Sequence, residues 1–371
     1  VVKIVKSFGW AALNYYKIIK AFNNILNTNA TSVALVPYKE PETQLITYKD
    51  PYGESVDIQL EPWWVVGFTD GEGHFQVTEQ QTGYYSFEYK ITQHYASIQV
   101  LYALRDYLGC GTVCINDRKK NTMKFHVMGK VDLLNIIIPF FNKFPLRTSK
   151  YLDFQGFKEA MLIDTERMKE GRSYHDYELD RIAEIKKTMN RGRSFNERLK
   201  CSVDLNKEIS LPAPWIQGFM DGEGCFQFII NPVVRKTKAG YSTINQFQFG
   251  VSIAQNVSEL PVLKQIELGL AKGHFTPKLG LSYEEMLKIR KSSIFMIRTV
   301  NEVQNIVIPF FEKYPMYTDK RFDFLSYKNL LTLKNSGAHL TSEGLKEMIN
   351  IINGRNSRRI KPTIPSDWKT S

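Results

Sequence analysis

Val65-Val-Gly-Phe-Thr-Asp-Gly-Glu-Gly73 and Ile216-Gln-Gly-Phe-Met-Asp-Gly-Glu-Gly224 are two copies of one motif, each opening shortly after a Pro-Trp pair at Pro62 and Pro214. The apolar residues before the acids read as a short helix that ends near the last glycine. Gly67 and Gly71 lie four apart on one helix face, as do Gly218 and Gly222. Small residues at that spacing let two backbones approach closely, a device characterised mainly in membranes. Two such helices packed together would bring Glu72 and Glu223 side by side at their C-terminal ends. There the carboxylates would repel each other and face the negative ends of both helix dipoles. A hard divalent cation relieves that arrangement, because Mg²⁺ takes oxygen ligands and usually binds through one or two carboxylates. A single Asp-Gly-Glu-Gly would read as a helix-ending turn. Two copies in matching contexts favour a pair of acidic centres facing a common partner.

The duplication runs on beyond the motifs. Asn135-Ile-Ile-Ile-Pro-Phe-Phe-Asn-Lys-Phe-Pro-Leu-Arg-Thr-Ser-Lys-Tyr-Leu-Asp-Phe154 recurs as Asn305-Ile-Val-Ile-Pro-Phe-Phe-Glu-Lys-Tyr-Pro-Met-Tyr-Thr-Asp-Lys-Arg-Phe-Asp-Phe324, and Lys90-Ile-Thr-Gln-His94 answers to Ser252-Ile-Ala-Gln-Asn256. So long a period means two homologous domains rather than a solenoid, and 371 residues are enough for two cores. After each motif helix, residues 75–78 and 226–229 read as strands. Gly83 and Gly240 then turn the chain into residues 85–93 and 247–255. Residues 97–108 have helical period and close at Gly109. Two strand-like runs follow at 112–115 and 124–128, then a helix from Val131 towards Pro139. The unit is helix, hairpin, helix, hairpin, helices. That is an α+β class with two pseudo-symmetric domains, each an antiparallel sheet covered by helices and packed through the motif helices. The expected boundaries are an extension at 1–60, a first domain at 61–190, a linker at 191–213, a second domain at 214–360 and a tail at 361–371.

These residues resemble the LAGLIDADG homing endonucleases in their two-motif, single-chain, monomeric form. The resemblance extends from about Pro62 to about Arg359, and carries the two motifs, the downstream glutamines and the Pro-Phe-Phe…Lys repeat in the family's order. It implies a site-specific endonuclease that makes a double-strand break in a long, asymmetric DNA target by metal-dependent phosphodiester hydrolysis. It also implies site roles. Glu72 and Glu223 hold divalent ions, Mg²⁺ first among them, with the backbone carbonyls of Gly71 and Gly222 as further ligands. Gln93 and Gln255, at matching strand ends, position the water nucleophile; Lys150 and Lys320 offset charge on the phosphate. The family also contains maturases that bind intron RNA, and a ribosome-associated RNA-binding descendant is conceivable; both remain as alternatives here.

Base recognition belongs on the sheet face away from the helices. Gln76, Thr78 and Gln80 share one strand parity, as do Gln227, Ile229 and Asn231; on the second strands Lys90 and Thr92 match Ser252 and Ala254. Gln and Asn pair with adenine edges and Lys with guanine, although alternation alone would equally describe a solvated face.

Composition agrees with the double-stranded DNA that the resemblance implies, although an RNA or an anionic membrane surface would attract the same charge. Lys and Arg number 49 against 38 acids, a formal charge of +11. Four cysteines give no disulfide framework, and Cys110 and Cys114 form one Cys-x₃-Cys pair without a second pair at zinc spacing. No window is apolar enough to span a membrane. The stretch 8–22, with Lys17 and Lys20 among apolar positions, reads as an amphipathic helix: a targeting remnant, a fused upstream reading frame, or an accessory helix. Residues 191–213 read as a basic linker stiffened by Pro212, solvated rather than crossing DNA. Abundant Phe, Tyr, Ile, Asn and Lys suggests AT-rich coding, hence an organellar gene, mitochondrial first and plastid second.

Overall fold

The computed structural model describes residues 37–368, apart from 208–209, 238–239, 271–273, 277–280, 290 and 356–357. The helix expected at 8–22 lies outside the described residues.

The first domain begins with helix α1, Pro62–Glu72, whose proline sits where an unpaired N–H would otherwise be left. Every residue from Trp64 to Asp70 is buried, so this helix is covered on all sides rather than amphipathic. It runs without a loop into strand β3, Gly73–Glu79, which pairs antiparallel with β4, Tyr85–His94. Buried and half-buried residues alternate from Gly73 to Thr78 and from Tyr85 to Thr92, which gives the sheet one apolar and one polar face. Helix α2, Ile98–Leu108, ends on left-handed Gly109 (φ 66°), a C-terminal geometry that glycine adopts freely. Strands β5, Thr112–Asp117, and β6, Thr122–Val127, complete a sheet of order β3-β4-β6-β5. Helix α3 then runs from Lys130–Asp132 through a π-helical turn, Leu133–Ile137, into Ile138–Lys143. The wide turn lies just before Pro139, whose ring and missing N–H a regular helix cannot accommodate. Helices α4, Lys150–Lys169, and α5, Asp176–Thr188, close the unit.

The second domain repeats the plan: α7, Ala213–Glu223; β7, Gly224–Thr237; β8, Gly240–Asn256; α8, Leu260–Leu270; and β9, His274–Thr276. Helix α9, Tyr283–Ile289, precedes β10, Ser292–Ile297, and the sheet order is β7-β8-β10-β9. Helix α10 spans Val300–Glu302, a second π turn at Val303–Val307 and Ile308–Lys313, followed by α11, Lys320–Asn335, and α12, Ser342–Asn353. Its first hairpin is far longer than the two short runs read from sequence.

The sequence repeat has a packing reason. Phe75 on β3 meets Phe141, Phe154 and Phe157, with ring centroids 5.4–5.6 Å apart. Phe226 on β7 meets Phe311, Phe324 and Tyr327 at 5.5–5.6 Å. Each Pro-Phe-Phe segment therefore supplies the lid over its own sheet, where a buried aromatic contributes about 1.5–3 kcal/mol.

Two expectations change. Residues 191–213 contain helix α6, Phe195–Leu205, capped by reciprocal Ser194 and Glu197 bonds. Asn206, just past its end, donates to the Arg147 carbonyl at 2.9 Å and accepts from Gln265 at 2.9 Å, so this connector binds both domains. Its Arg193 pairs with Asp153 and its Arg198 donates to the Asn190 carbonyl, which leaves these arginines facing protein. Part of the extension is likewise structural. Strands β1, Leu45–Lys49, and β2, Ser55–Gln59, form a hairpin that buries Val56 and Ile58 and reaches the second domain through Tyr317, whose hydroxyl donates to the Gln59 carbonyl at 3.0 Å. The tail crosses the other way: Ile364 donates to Asn121 and Trp368 packs on Tyr95.

Candidate active site and nucleic-acid interface

Helices α1 and α7 cross at the centre of the molecule, and their glycines set how closely. A Cβ added to Gly67 would lie 2.1 Å from the Trp215 carbonyl oxygen, and one on Gly218 would lie 2.2 Å from that of Trp64. No other residue permits this approach. One turn on, a Cβ on Gly71 would meet Glu223 Cγ at 3.3 Å, and one on Gly222 would meet Glu72 Cγ at 3.1 Å. Each glutamate stem thus lies across the opposite helix's glycine, and the two carboxylates share one small volume.

The motif aspartates do something the sequence did not disclose. Asp70 accepts from the backbone N–H groups of Arg147 and Thr148, from the Thr148 hydroxyl, and across the domain boundary from Trp215 Nε1 at 2.9 Å. Asp221 repeats this with Tyr317, Thr318 and Trp64 Nε1, the last at 3.2 Å. Burial pushes both aspartates up, and the ring of donors pulls them back. The available signal was the tryptophan six residues before the aspartate in both copies.

Lysines complete the centre. Lys150 Nζ donates to the carbonyl oxygens of Thr69 at 2.8 Å and Gly71 at 3.1 Å; Lys320 donates to those of Met220 and Gly222. Burial lowers the pKa of both ammonium groups, against the pull of the neighbouring carboxylates. Burial raises Glu72, and Glu223 beside it adds to the shift, while Lys320, Lys150 and a hydrogen bond from Gln93 oppose it. The structure therefore brings Glu72, Glu223, Gly71, Gly222, Lys150, Lys320 and Gln93 together. Gln255 is the last residue but one of β8, as Gln93 is of β4, and pairs with Ser293 where Gln93 pairs with Met123. Among the described residues no cluster of three or more His, Cys, Asp or Glu side chains converges. Two carboxylates with backbone carbonyls nevertheless form a hard oxygen set suited to Mg²⁺, which keeps waters and substrate phosphates as its other ligands.

On the polar sheet face of the first domain, Gln76, Thr78, Lys90 and Thr92 are half-buried and share one side, with Gln80 exposed just beyond the strand. The same face carries Glu88, Lys124 and His126, which the strand parity read from β3 and β4 missed. Lys90 donates to Gln76 at 2.8 Å and to Glu88 at 3.0 Å, while Lys124 and His126 bond Glu88 at 2.8 and 2.9 Å. Against the upward push of burial, the bonds from Lys124 and Lys90 bring Glu88 down to about 2. In the second domain Gln227 donates to Ser252 at 3.1 Å, Ile229 is exposed and Asn231 half-buried. Ser252 itself is buried, so the hydroxyl expected to meet bases is held by Gln227 instead.

The family model of the LAGLIDADG endonuclease matches residues 65–161 and 216–331, more than half of the chain. The chain belongs to that family. Among curated relatives of this LAGLIDADG protein, "Probable intron-encoded endonuclease 2" of Neurospora crassa is 28% identical over 79% of this chain and 65% of its own length. "Uncharacterized mitochondrial protein RF1" of Saccharomyces cerevisiae is 25% identical over 80% of this chain and 60% of its own. The chain thus spans about three fifths of these relatives. Among solved structures, the LAGLIDADG homing endonuclease I-LtrWI bound to target DNA superposes with a TM-score of 0.64 at 26% identity, over 81% of this chain and 98% of that one. I-SmaMI, bound to uncleaved DNA in the presence of calcium ions, gives 0.65 at 23% identity, over 80% and 99%. The two-domain LAGLIDADG fold is therefore that of this chain, as its sequence led one to expect.

Proposed function

We propose that this protein is a site-specific, homing-type DNA endonuclease that cuts both strands of a long, asymmetric duplex target as a monomer. The observation that carries the reading is the crossing of Glu72 and Glu223 over each other's motif glycines, with Lys150 and Lys320 on the neighbouring carbonyls. Glu72, Glu223 and the carbonyls of Gly71 and Gly222 would hold divalent cations, with Mg²⁺ the best match to the oxygen donors. Bound there, cations supply stabilisation of the attacking and leaving oxygens in phosphodiester hydrolysis. Around them, Gln93 and Gln255 offer neutral amides to orient a water, and Lys150 and Lys320 offset the negative charge that develops on phosphate.

The two polar sheet faces meet bases in this reading. Gln76, Thr78, Gln80, Lys90 and Thr92 serve one half-site, and Gln227, Ile229 and Asn231 the other, with buried Ser252 holding Gln227. That I-LtrWI, similar in structure, is bound to its target DNA supports duplex DNA as the partner. An intron-borne gene agrees with the name of the Neurospora relative, and a mitochondrial one with that of the yeast relative.

The test is incubation with a randomised duplex library and Mg²⁺. Double-strand cuts at one recurring sequence, lost on chelation, are expected. Binding to intron RNA with no cleavage in a diverse DNA pool would overturn the reading in favour of an RNA-binding role.

A further inference from the structure

Each active-site lysine is the first residue of a helix, and the residue before it is tied to the opposite domain. Ser149, before Lys150, donates its backbone N–H to both carboxylate oxygens of Glu259 in the second domain, at 3.2 Å each. Asp319, before Lys320, accepts from the Ser97 hydroxyl of the first domain at 3.2 Å and donates its backbone N–H to the same hydroxyl at 2.9 Å. The two contacts are equivalent by pseudo-symmetry. Ser97 follows Gln93 by four residues, Glu259 follows Gln255 by four, and Ser149 and Asp319 occupy matching places in the repeat.

The chemistry is interchanged between the halves. In one, the acid is on the lysine's own segment and the hydroxyl across the boundary; in the other, the acid is across the boundary and the serine on the segment. Ser97, Glu259 and Asp319 are all buried, where an unbonded polar group would be costly, so each contact is fixed rather than solvated. A carboxylate at a helix N-terminus is also favoured by the dipole, and both acids sit at one: Glu259 against α4, Asp319 at the start of α11. The surroundings differ, however. Asp319 is further paired with Lys361 and Arg359 from the C-terminal segment. Glu259 instead faces Asp70 from α1 and Cys201 from α6.

We propose that Glu259 and Ser97 are positioning residues, each acting across the domain boundary to place the opposite domain's active-site lysine, so that the two strand cuts can be impaired separately. This rests on the nuclease reading above. Glu259 acts on Lys150 through Ser149, and Ser97 acts on Lys320 through Asp319. Neither reaches the reacting atoms.

The experiment measures cleavage of each strand of an end-labelled target duplex by the full chain with Mg²⁺, using Lys150→Met and Lys320→Met to identify the strand each lysine serves. Glu259→Ala is expected to slow the Lys150 strand by about tenfold or more, the scale set by a sub-ångström to ångström misplacement. The other strand should stay within about twofold, so nicked product accumulates. Ser97→Ala should show the opposite bias. Glu259→Ser combined with Ser149→Asp rebuilds the Ser97–Asp319 arrangement on the other side and should restore balanced cutting. Should Glu259→Ala fail to fold, Glu259→Gln keeps the volume and one acceptor and should show the same bias in smaller measure. Equal slowing of both strands by a folded variant, or no slowing, overturns the proposal while leaving the nuclease reading intact. A parent protein that cuts no DNA ends both.

Discussion

Gly67→Ala tests the helix crossing on which the whole centre depends. The added Cβ would lie 2.1 Å from the Trp215 carbonyl oxygen, 2.9 Å from its carbon and 3.0 Å from the Phe219 nitrogen. Carbon–oxygen contacts of this kind settle at about 3.3–3.6 Å, so the helices must part by roughly 1 Å. All the obstructing atoms are backbone in a buried helix, and no side chain can swing aside. A gap of that size forfeits a quarter to a half of each dispersion contact across the interface. Overpacking of this kind costs about 1–3 kcal/mol, and the alanine returns about 1 kcal/mol of helix propensity. Because the clash is with backbone, we expect the upper end: a net loss of about 2 kcal/mol, and a Tm lower by about 4–8 °C. Cleavage should fall further than stability, by up to about a hundredfold, since Glu72 moves relative to Glu223. Calorimetry and Mg²⁺-dependent cleavage measure the two effects. Gly354→Ala, whose Cβ meets nothing nearer than 3.7 Å, is the control. A Gly67→Ala protein as stable and as active as the parent would refute the close crossing.

Glu72→Gln and Glu223→Gln should each abolish double-strand cleavage while leaving DNA affinity nearly unchanged, measured by gel shift beside the cleavage assay; undiminished cutting by either would sink the metal-site assignment. Gln76→Ala and Gln227→Ala should each relax preference at one base pair by about 1–3 kcal/mol in a selection from randomised targets, whereas uniform weakening across all sequences would mean a phosphate contact only. The selected target should be asymmetric, and recovery of a strict palindrome would argue for a dimer. Burial raises Glu259 to about 7, above the ordinary glutamate value of about 4.3. Its contribution to stability is therefore full below about pH 4.3 and lost as pH rises through about 7, a swing on the order of 3 kcal/mol. In urea melts at pH 5 and pH 8, Glu259→Gln should flatten that dependence; an unchanged pH profile would mean that Glu259 titrates normally.

The order of elements and the meeting of the motif helices were legible because they rest on local signals. Glycine spacing, the Pro-Phe-Phe repeat and strand alternation each report packing that neighbouring residues dictate. What escaped notice depends on partners far along the chain. Glu88 lies opposite Gln76 within the first hairpin, but the Lys124 and His126 that bond it come from β6, more than thirty residues on. Helix α6 was hidden because a basic stretch running into Pro212 has the composition of a linker; its Ser194–Glu197 capping pair was the local signal, and burial of Cys201 and Ser202 and the bonds of Asn206 to both domains fix it. The length of β7 and β8 escaped for a similar reason, since Asn231, Pro232 and Gly250 interrupt the expected alternation while the ladder continues through them.

The two acids of each motif divide their work in a way that explains why both are needed. Asp70 points inward and captures the N–H groups of Arg147 and Thr148, which fixes the segment that begins α4. That helix opens with Lys150, whose ammonium then lies on the carbonyls of Thr69 and Gly71, on either side of Asp70 itself. A buried carboxylate therefore brings the cation to the carbonyl end of its own helix, where the dipole is negative and Glu72 adds a further charge. Asp221, Thr318 and Lys320 repeat the sequence of causes in the second half. The tryptophan bonds carry each aspartate's hold across the boundary, so neither half assembles its centre alone. From this follows a specific expectation for Asp70→Asn. The amide oxygen can still accept, but each Asp70 oxygen takes two of the four donors, so the new NH₂ must face two of them and leaves at least one buried N–H unsatisfied, at about 1–3 kcal/mol. Melting temperature should fall, and cleavage should fall with it through displacement of Lys150, although Asp70 never touches phosphate. An Asp70→Asn protein that melts normally yet fails to cut would instead place Asp70 among the residues that act on the reacting atoms, and would break this account of the motif.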